Sequence, residues 1–193
     1  MWHNQGVSVT NRKRQPRRPP GARPERPPLD AEAVERLALH YVGRYATSRG
    51  KLVAYLQRKL QGRLWVGDQA PDLPALADRL AALGYVDDRS FAEGRARSLG
   101  MRGYGKGRVR QALYAAGIEE EDAVAAHEIA DDGRWAAALR YAEKRRIGPW
   151  ARAEPDRAGR EKAIASMIRG GHDFAVARAI ASAAPGEVPD VSK

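Results

Sequence analysis

Between Leu80 and Ile118 one helix-ending signal appears twice, and that repetition narrows the fold class more than any other feature of the chain. Leu80-Ala81-Ala82-Leu83-Gly84-Tyr85 and Leu113-Tyr114-Ala115-Ala116-Gly117-Ile118 each close a helical apolar pattern with a glycine and then a hydrophobic residue. Glycine enters the left-handed region without a Cβ clash, and the residue after it can fold back on the last helical turn. Both hexads therefore predict left-handed helix caps. Acids follow each of them, Asp87 and Asp88 before Phe91, and Glu119 to Asp122 before Val124. Carboxylates suit helix N-termini, where N–H groups are unpaired. A weaker third copy runs from Ser166 to Gly171, with Asp173 after it. The pattern is that of stacked helical units.

Between the caps, apolar residues recur at three- and four-residue spacing. Asp30 is placed to cap a helix whose Val34, Leu37, Ala38, Tyr41, Val42 and Tyr45 share a face. Ser48 caps a second, striped by Leu52, Val53, Leu56 and Leu60; Leu73, Leu76, Ala77, Leu80 and Leu83 mark a third that stops at Gly84. A second triplet starts at Asp87 and buries Phe91, Ala92, Ala96 and Leu99. It turns through Gly100 to Gly107 and continues with Val109, Ala112, Leu113 and Ala116, then Val124, Ala125 and Ile129. Asp132 is expected to cap the next helix, carrying Trp135, Ala136, Leu139 and Ala142. Ile164, Met167 and Ile168 follow, and finally Phe174, Val176, Ala177 and Ile180. No window shows clean β alternation between turn dipeptides. The expected fold is all-α: three tandem three-helix repeats over residues 29–86, 87–131 and 132–184. They form an elongated, curved array in which each unit buries its apolar face on its neighbours. Residues 185–193 are expected to be a disordered tail.

Charge and composition exclude several functions. Residues 1–28 hold seven Lys or Arg against the single acid Glu25, together with six prolines, and so carry six of the ten excess positive charges. So few apolar side chains cannot offset the entropy of ordering, and this segment is expected to be a disordered basic tail. Such a block serves either as a phosphate-binding arm or as a solubilising leader. The absence of cysteine excludes disulfides and thiolate metal sites and fits a cytoplasmic protein. No apolar run approaches the ~20 residues of a membrane helix. Met1-Trp2-His3-Asn4-Gln5 also lacks the apolar core of a signal peptide.

Gly100-Met101-Arg102-Gly103-Tyr104-Gly105-Lys106-Gly107 comes close to the phosphate-binding pattern G-x-x-x-x-G-K-[ST] and fails it twice. Gly107 stands where a hydroxyl would hold magnesium, and a helix precedes the loop where a strand is required. The segment is better taken as an interhelix corner ringed by Arg102, Lys106, Arg108 and Arg110. Its glycine N–H groups beside basic side chains would suit a phosphate or an acidic protein surface. His3, His40, His127 and His172 form no ligand pair, and no serine lies in a G-x-S-x-G setting. Trp65 and Trp150, in corners, can stack on bases or pack between units, whereas Trp135 falls on an apolar stripe. No catalytic residue, cofactor site or metal site is expected.

Gly84-Tyr85-Val86-Asp87-Asp88 with Phe91-Ala92 after it, Arg102-Gly103-Tyr104-Gly105, and Arg108-Val109-x-x-x-Leu113 ending in Gly117-Ile118 stand in a fixed order. This order resembles the RecX family of bacterial recombinase regulators. Ala38-Leu39-x-Tyr41 with Arg44 and Ser48, then Leu52 to Leu60, resembles the family's first repeat, which extends the likeness over residues 30–183. The resemblance implies a non-enzymatic protein of three helical repeats that binds the RecA recombinase filament on single-stranded DNA. It would lie in the filament groove and lower ATP hydrolysis and strand exchange. By the same resemblance, the basic contact surface would be Arg44, Arg49, Lys51, Arg95, Arg102, Lys106, Arg108 and Arg110. Gly84, Tyr85, Asp87, Asp88, Phe91, Gly103, Gly105, Leu113 and Gly117 would be structural. The family's third repeat has an aromatic after its Arg-Gly pair, but here Arg169-Gly170 is followed by Gly171-His172, so a cap contact is expected to be lost there. A monomer without cofactor or membrane contact is expected. The competing expectation is a stand-alone nucleic-acid-binding module that uses the tail and the Arg102 to Arg110 corner.

Overall fold

The computed structural model describes residues 27–189; the basic tail through residue 26 and residues 190–193 lie outside the described residues. Among those described, the helices are α1 (Ala31–Val42), α2 (Arg49–Leu60), α3 (Leu73–Ala82), α4 (Asp88–Met101), α5 (Lys106–Tyr114), α6 (Glu120–Asp132), α7 (Arg134–Arg145), α8 (Arg157–Arg169) and α9 (Phe174–Ala181). A 3-10 turn at Gly148–Trp150 joins α7 to the segment before α8. The described residues contain no strand beyond one isolated bridge between Leu29 and Trp65. The all-α expectation holds.

The core divides into three clusters in chain order. Val34, Leu52, Leu56 and Leu80 centre the first, from α1 to α3. Ala92, Ala96, Val109, Leu113, Ala123 and Ala126 centre the second, from α4 to α6. Tyr141, Met167, Val176 and Ile180 centre the third, from α7 to α9. In the second cluster small residues face one another, which lets α4 and α6 lie close. The stripe of α6 accordingly differs in part from the spacing: Ala123 and Ala126 face inward and Val124 is exposed, while Ile129 packs on the cluster as expected. Tyr45, Leu83, Ile168 and Phe174 are also exposed rather than buried. Leu83 lies past the last turn of α3, and in the third unit Met167 and His172 are buried while Ile168 and Phe174 are not. Ala136 faces out while Ala137 and Ala138 face in. Asp132 does not cap α7, because α6 runs through it and only Gly133 separates the two helices. At the far end Gly186 N–H donates to the Pro149 carbonyl at 2.8 Å.

The same hydrogen-bond pattern ends five helices. After α3, Tyr85 N–H reaches Leu80 C=O at 2.9 Å while Gly84 N–H reaches Ala81 C=O at 2.9 Å. Tyr104 to Leu99, Ile118 to Leu113 and His172 to Met167 repeat the long bond at 3.0, 3.1 and 3.1 Å. Each has a left-handed glycine before it. The cap expected to be lost in the last unit is therefore intact. The fifth, Ile147 to Ala142 at 2.9 Å, places Arg146 in the left-handed region at φ 54°. One detail differs from expectation: Tyr85 stays 55% exposed, and Val86 is the residue that folds back into the core.

The glycine corner after α4 joins the second cluster to the third. Gly105 N–H donates to Gly170 C=O at 3.0 Å and Gly107 N–H to Gly171 C=O at 2.9 Å. These donors are thus committed to protein and cradle no phosphate. His172, buried beneath the corner, donates Nε2–H to Gly103 C=O at 3.1 Å and meets the Tyr141 ring edge-on at 5.2 Å. It does the packing of the aromatic that the sequence lacks. Burial holds its imidazole below the ordinary value of 6.5, against the Gly103 bond and Asp173, which act the other way.

Left-handed backbone costs an L-residue about 1–2 kcal/mol. Arg146→Gly should therefore raise unfolding stability by about 1 kcal/mol. Gly84→Ala, which meets open space but keeps φ at 78°, should lower it by a similar amount; urea unfolding measures both. His172 is neutral in the folded chain and gains a proton more readily when unfolded, so its contribution to stability is lost as pH falls below about 6.5. His172→Gln keeps a donor for Gly103 but does not titrate. Thermal melts between pH 7.5 and 5 should show a smaller acid loss for that variant than for the natural chain.

Candidate polyanion-binding groove

The junction between the first two clusters is made by three consecutive residues at the start of α2. Ser48 caps that helix, accepting from Lys51 N–H at 3.2 Å, and its own hydroxyl donates to Ala116 C=O at 2.6 Å. Arg49 donates its backbone N–H and Nε–H to the two oxygens of Asp88, at 2.8 and 2.9 Å. The other guanidinium nitrogens reach Asp122 at 3.2 Å and Asp78 at 3.5 Å. The Asp88 hydrogen bond raises the already high pKa of Arg49. Gly50 lets the backbones touch: a Cβ there would stand 2.7 Å from Ala116 O and 2.9 Å from Gly117 Cα. Asp87 alone caps α4, accepting from Ser90 N–H at 2.8 Å, and the hydrogen bonds from Ser90 lower its pKa. Asp88, expected to share that task, is buried and turned back to Arg49.

Held in this way, α2, α4 and α5 enclose a hollow of about 630 Å³. Its cations are Lys51, Arg58 and Arg95, its rings Tyr41, Phe91 and Tyr114, and its remaining lining is glycine and alanine. Arg95, Ala112 and Ala115 are shared with an adjoining hollow of about 320 Å³ that adds Arg102, Tyr104 and Arg108. No Asp or Glu lines either hollow. Lys51 Nζ lies over the Phe91 ring at 5.5 Å, and Arg102 and Arg108 lie over Tyr104 at 5.4 and 5.9 Å. Five cations without a carboxylate among them, on a floor of small residues, create a positive potential suited to a chain of phosphates.

Of the basic residues expected to form one surface, the fold brings Lys51, Arg95, Arg102 and Arg108 together. Arg49 is committed to its three acids, and Lys106 pairs with Asp131 at 2.9 Å. Arg44 and Arg110 are exposed but line neither hollow. Arg58, Tyr41 and Tyr114 belong to the groove and were not anticipated. Phe91, expected in the core, is half-buried in the groove wall. Tyr114 lies off the Val109, Leu113 and Ala116 stripe, a signal that could have marked it. Trp65, Trp135 and Trp150 pack, half-buried, against the cores of their own clusters.

The wall carrying Phe91 to Gly117 lies inside residues 87–126, which match the family model described as RecX, second three-helix domain. A regulatory protein RecX of Myxococcus xanthus is 28% identical over 175 residues, covering 84% of this chain and 91% of that protein. One from Agrobacterium fabrum is 31% identical over 106 residues, 55% of this chain and 56% of that protein. The chain is thus similar to RecX proteins, in its second three-helix domain and along most of its length. Two RecX crystal structures, one from Lactobacillus salivarius, share its fold with a TM-score of 0.55 at 17% and 19% identity. Each alignment covers 77% of this chain, and 92% and 70% of those chains respectively. Among the described residues no helix is long and apolar enough to cross a membrane. The segment matching that domain supplies α4 and α5, while α2 of the preceding unit closes the groove.

The clasp is therefore testable by stability. Asp88→Ala strips two charge-assisted hydrogen bonds from Arg49 and should cost about 2 kcal/mol. Asp78→Ala, at an exposed pair 3.5 Å long, should cost under about 0.5 kcal/mol. Urea unfolding of the two variants decides the ranking.

Proposed function

We propose that this chain is a regulator that binds the RecA filament on single-stranded DNA through the groove between α2, α4 and α5, and lowers the filament's ATP hydrolysis and strand exchange. The observation that carries the proposal is the acid-free cationic groove, whose second wall lies in the segment matching the RecX family model. A RecA filament presents phosphate along its axis, and the groove offers it Lys51, Arg58, Arg95, Arg102 and Arg108. Binding across several subunits holds them in a state poor for hydrolysis and hinders addition of the next one. That needs binding energy alone, so the chain works in the cytoplasm as a monomer, without cofactor and without a reaction of its own.

ATP turnover by RecA on single-stranded DNA tests the proposal. The full chain should slow turnover in proportion to its concentration. A variant with Lys51, Arg58, Arg95 and Arg102 replaced by alanine should need at least about tenfold more protein for the same effect, with its circular dichroism unchanged. Unchanged turnover at saturating natural protein would overturn the proposal, and full inhibition by the variant would place the contact elsewhere.

A further inference from the structure

Tyr114 is the most exposed of the large apolar side chains described, at 85%, yet it sits in the groove rather than on an outer face. Its helix neighbours Val109 and Leu113 supply the core, so the fold does not need its ring. The other rings of the groove are engaged: Tyr41 stacks on Tyr55 at 4.1 Å, Phe91 lies under Lys51, and Tyr104 lies under two arginines. Among the described residues Tyr114 pairs with no other ring, and no Lys or Arg lies over it. Its backbone is nonetheless fixed, because α5 ends there in the Gly117 cap and Ala116 is held by Ser48. Ala112 and Ala115 beside it leave room along the floor.

We infer that Tyr114 is the specificity-determining residue of the groove, a stacking platform for a base of an unpaired strand that makes the groove prefer single-stranded over duplex nucleic acid. The inference rests on the groove being the contact surface proposed above, and it assigns that contact to the nucleic acid. Cations bind the phosphates of either form, whereas a duplex keeps its base faces stacked inside and offers Tyr114 nothing. Base–aromatic stacking tolerates any sequence, so the preference is for strandedness alone. A short helix end with a fixed backbone presents the ring at little entropic cost on binding.

Fluorescence anisotropy of the full chain with a labelled oligothymidine, the same strand with abasic sites, and a duplex of equal length tests this. Tyr114→Ala should weaken oligothymidine binding about tenfold, leave duplex binding unchanged, and bind the abasic strand as the natural protein does; Tyr114→Phe should restore the preference. Equal loss on single strand and duplex, or no loss on oligothymidine, would overturn the inference. So would absence of oligothymidine binding by the natural protein, although inhibition of RecA could then still stand. Selective loss on single strands without any effect of the natural protein on RecA turnover would instead sink the filament proposal and leave the stacking role intact.

Discussion

The two hydrogen bonds from Arg49 to Asp88 are the central link that holds the first helical unit against the second, and the groove lies between the units so joined. Lys51 and Arg58 stand on one wall, Phe91 and Arg95 on the other. Five uncompensated cations tend to push such walls apart. The chain answers at the junction itself, where Asp78, Asp88 and Asp122 converge on one guanidinium whose Arg49 side chain remains 34% exposed. Asp88 is the deeper partner, with its side chain 4% exposed. Removing either member of such a pair strands the other, which is why the contact fixes an orientation more firmly than its net energy suggests.

Glycine does related work at both junctions, through contact distance. Gly50 against Ala116 and Gly117, and Gly105 against Gly171 and His172, bring backbones together where a Cβ would collide. The five shared caps end helices abruptly and turn the chain toward the next helix, and the one after α3 leads from the first cluster to the second. A protein built in this way can present a long surface with three modest cores.

The helices, their order and most of the caps could be read from the chain, since Gly84, Gly117 and the apolar spacing are local signals. What escaped were relations between residues far apart in sequence. Asp88 looks like a capping residue until α2 is placed beside it, and Arg49 looks like a surface cation until its three acids are seen. The glycine N–H groups of the Gly100 to Gly107 corner look available for phosphate until Gly170 and Gly171 occupy them. His172 appeared to break the third cap because its aromatic packing on Tyr141 depends on a residue 31 positions earlier. On α6, a run rich in alanine gives periodicity little contrast, and the inward face was set by the closeness of α4.

The most direct test of the account uses the absence of cysteine from the sequence, which makes one introduced thiol a clean reporter. Ala115→Cys lies in the groove and Val124→Cys on the outer face of α6, both exposed. Their maleimide alkylation rates are measured with and without preformed RecA filament on single-stranded DNA. The account predicts that the filament shields position 115 and leaves position 124 reactive. Equal reactivity at 115 with and without filament, or shielding at 124 alone, would contradict it.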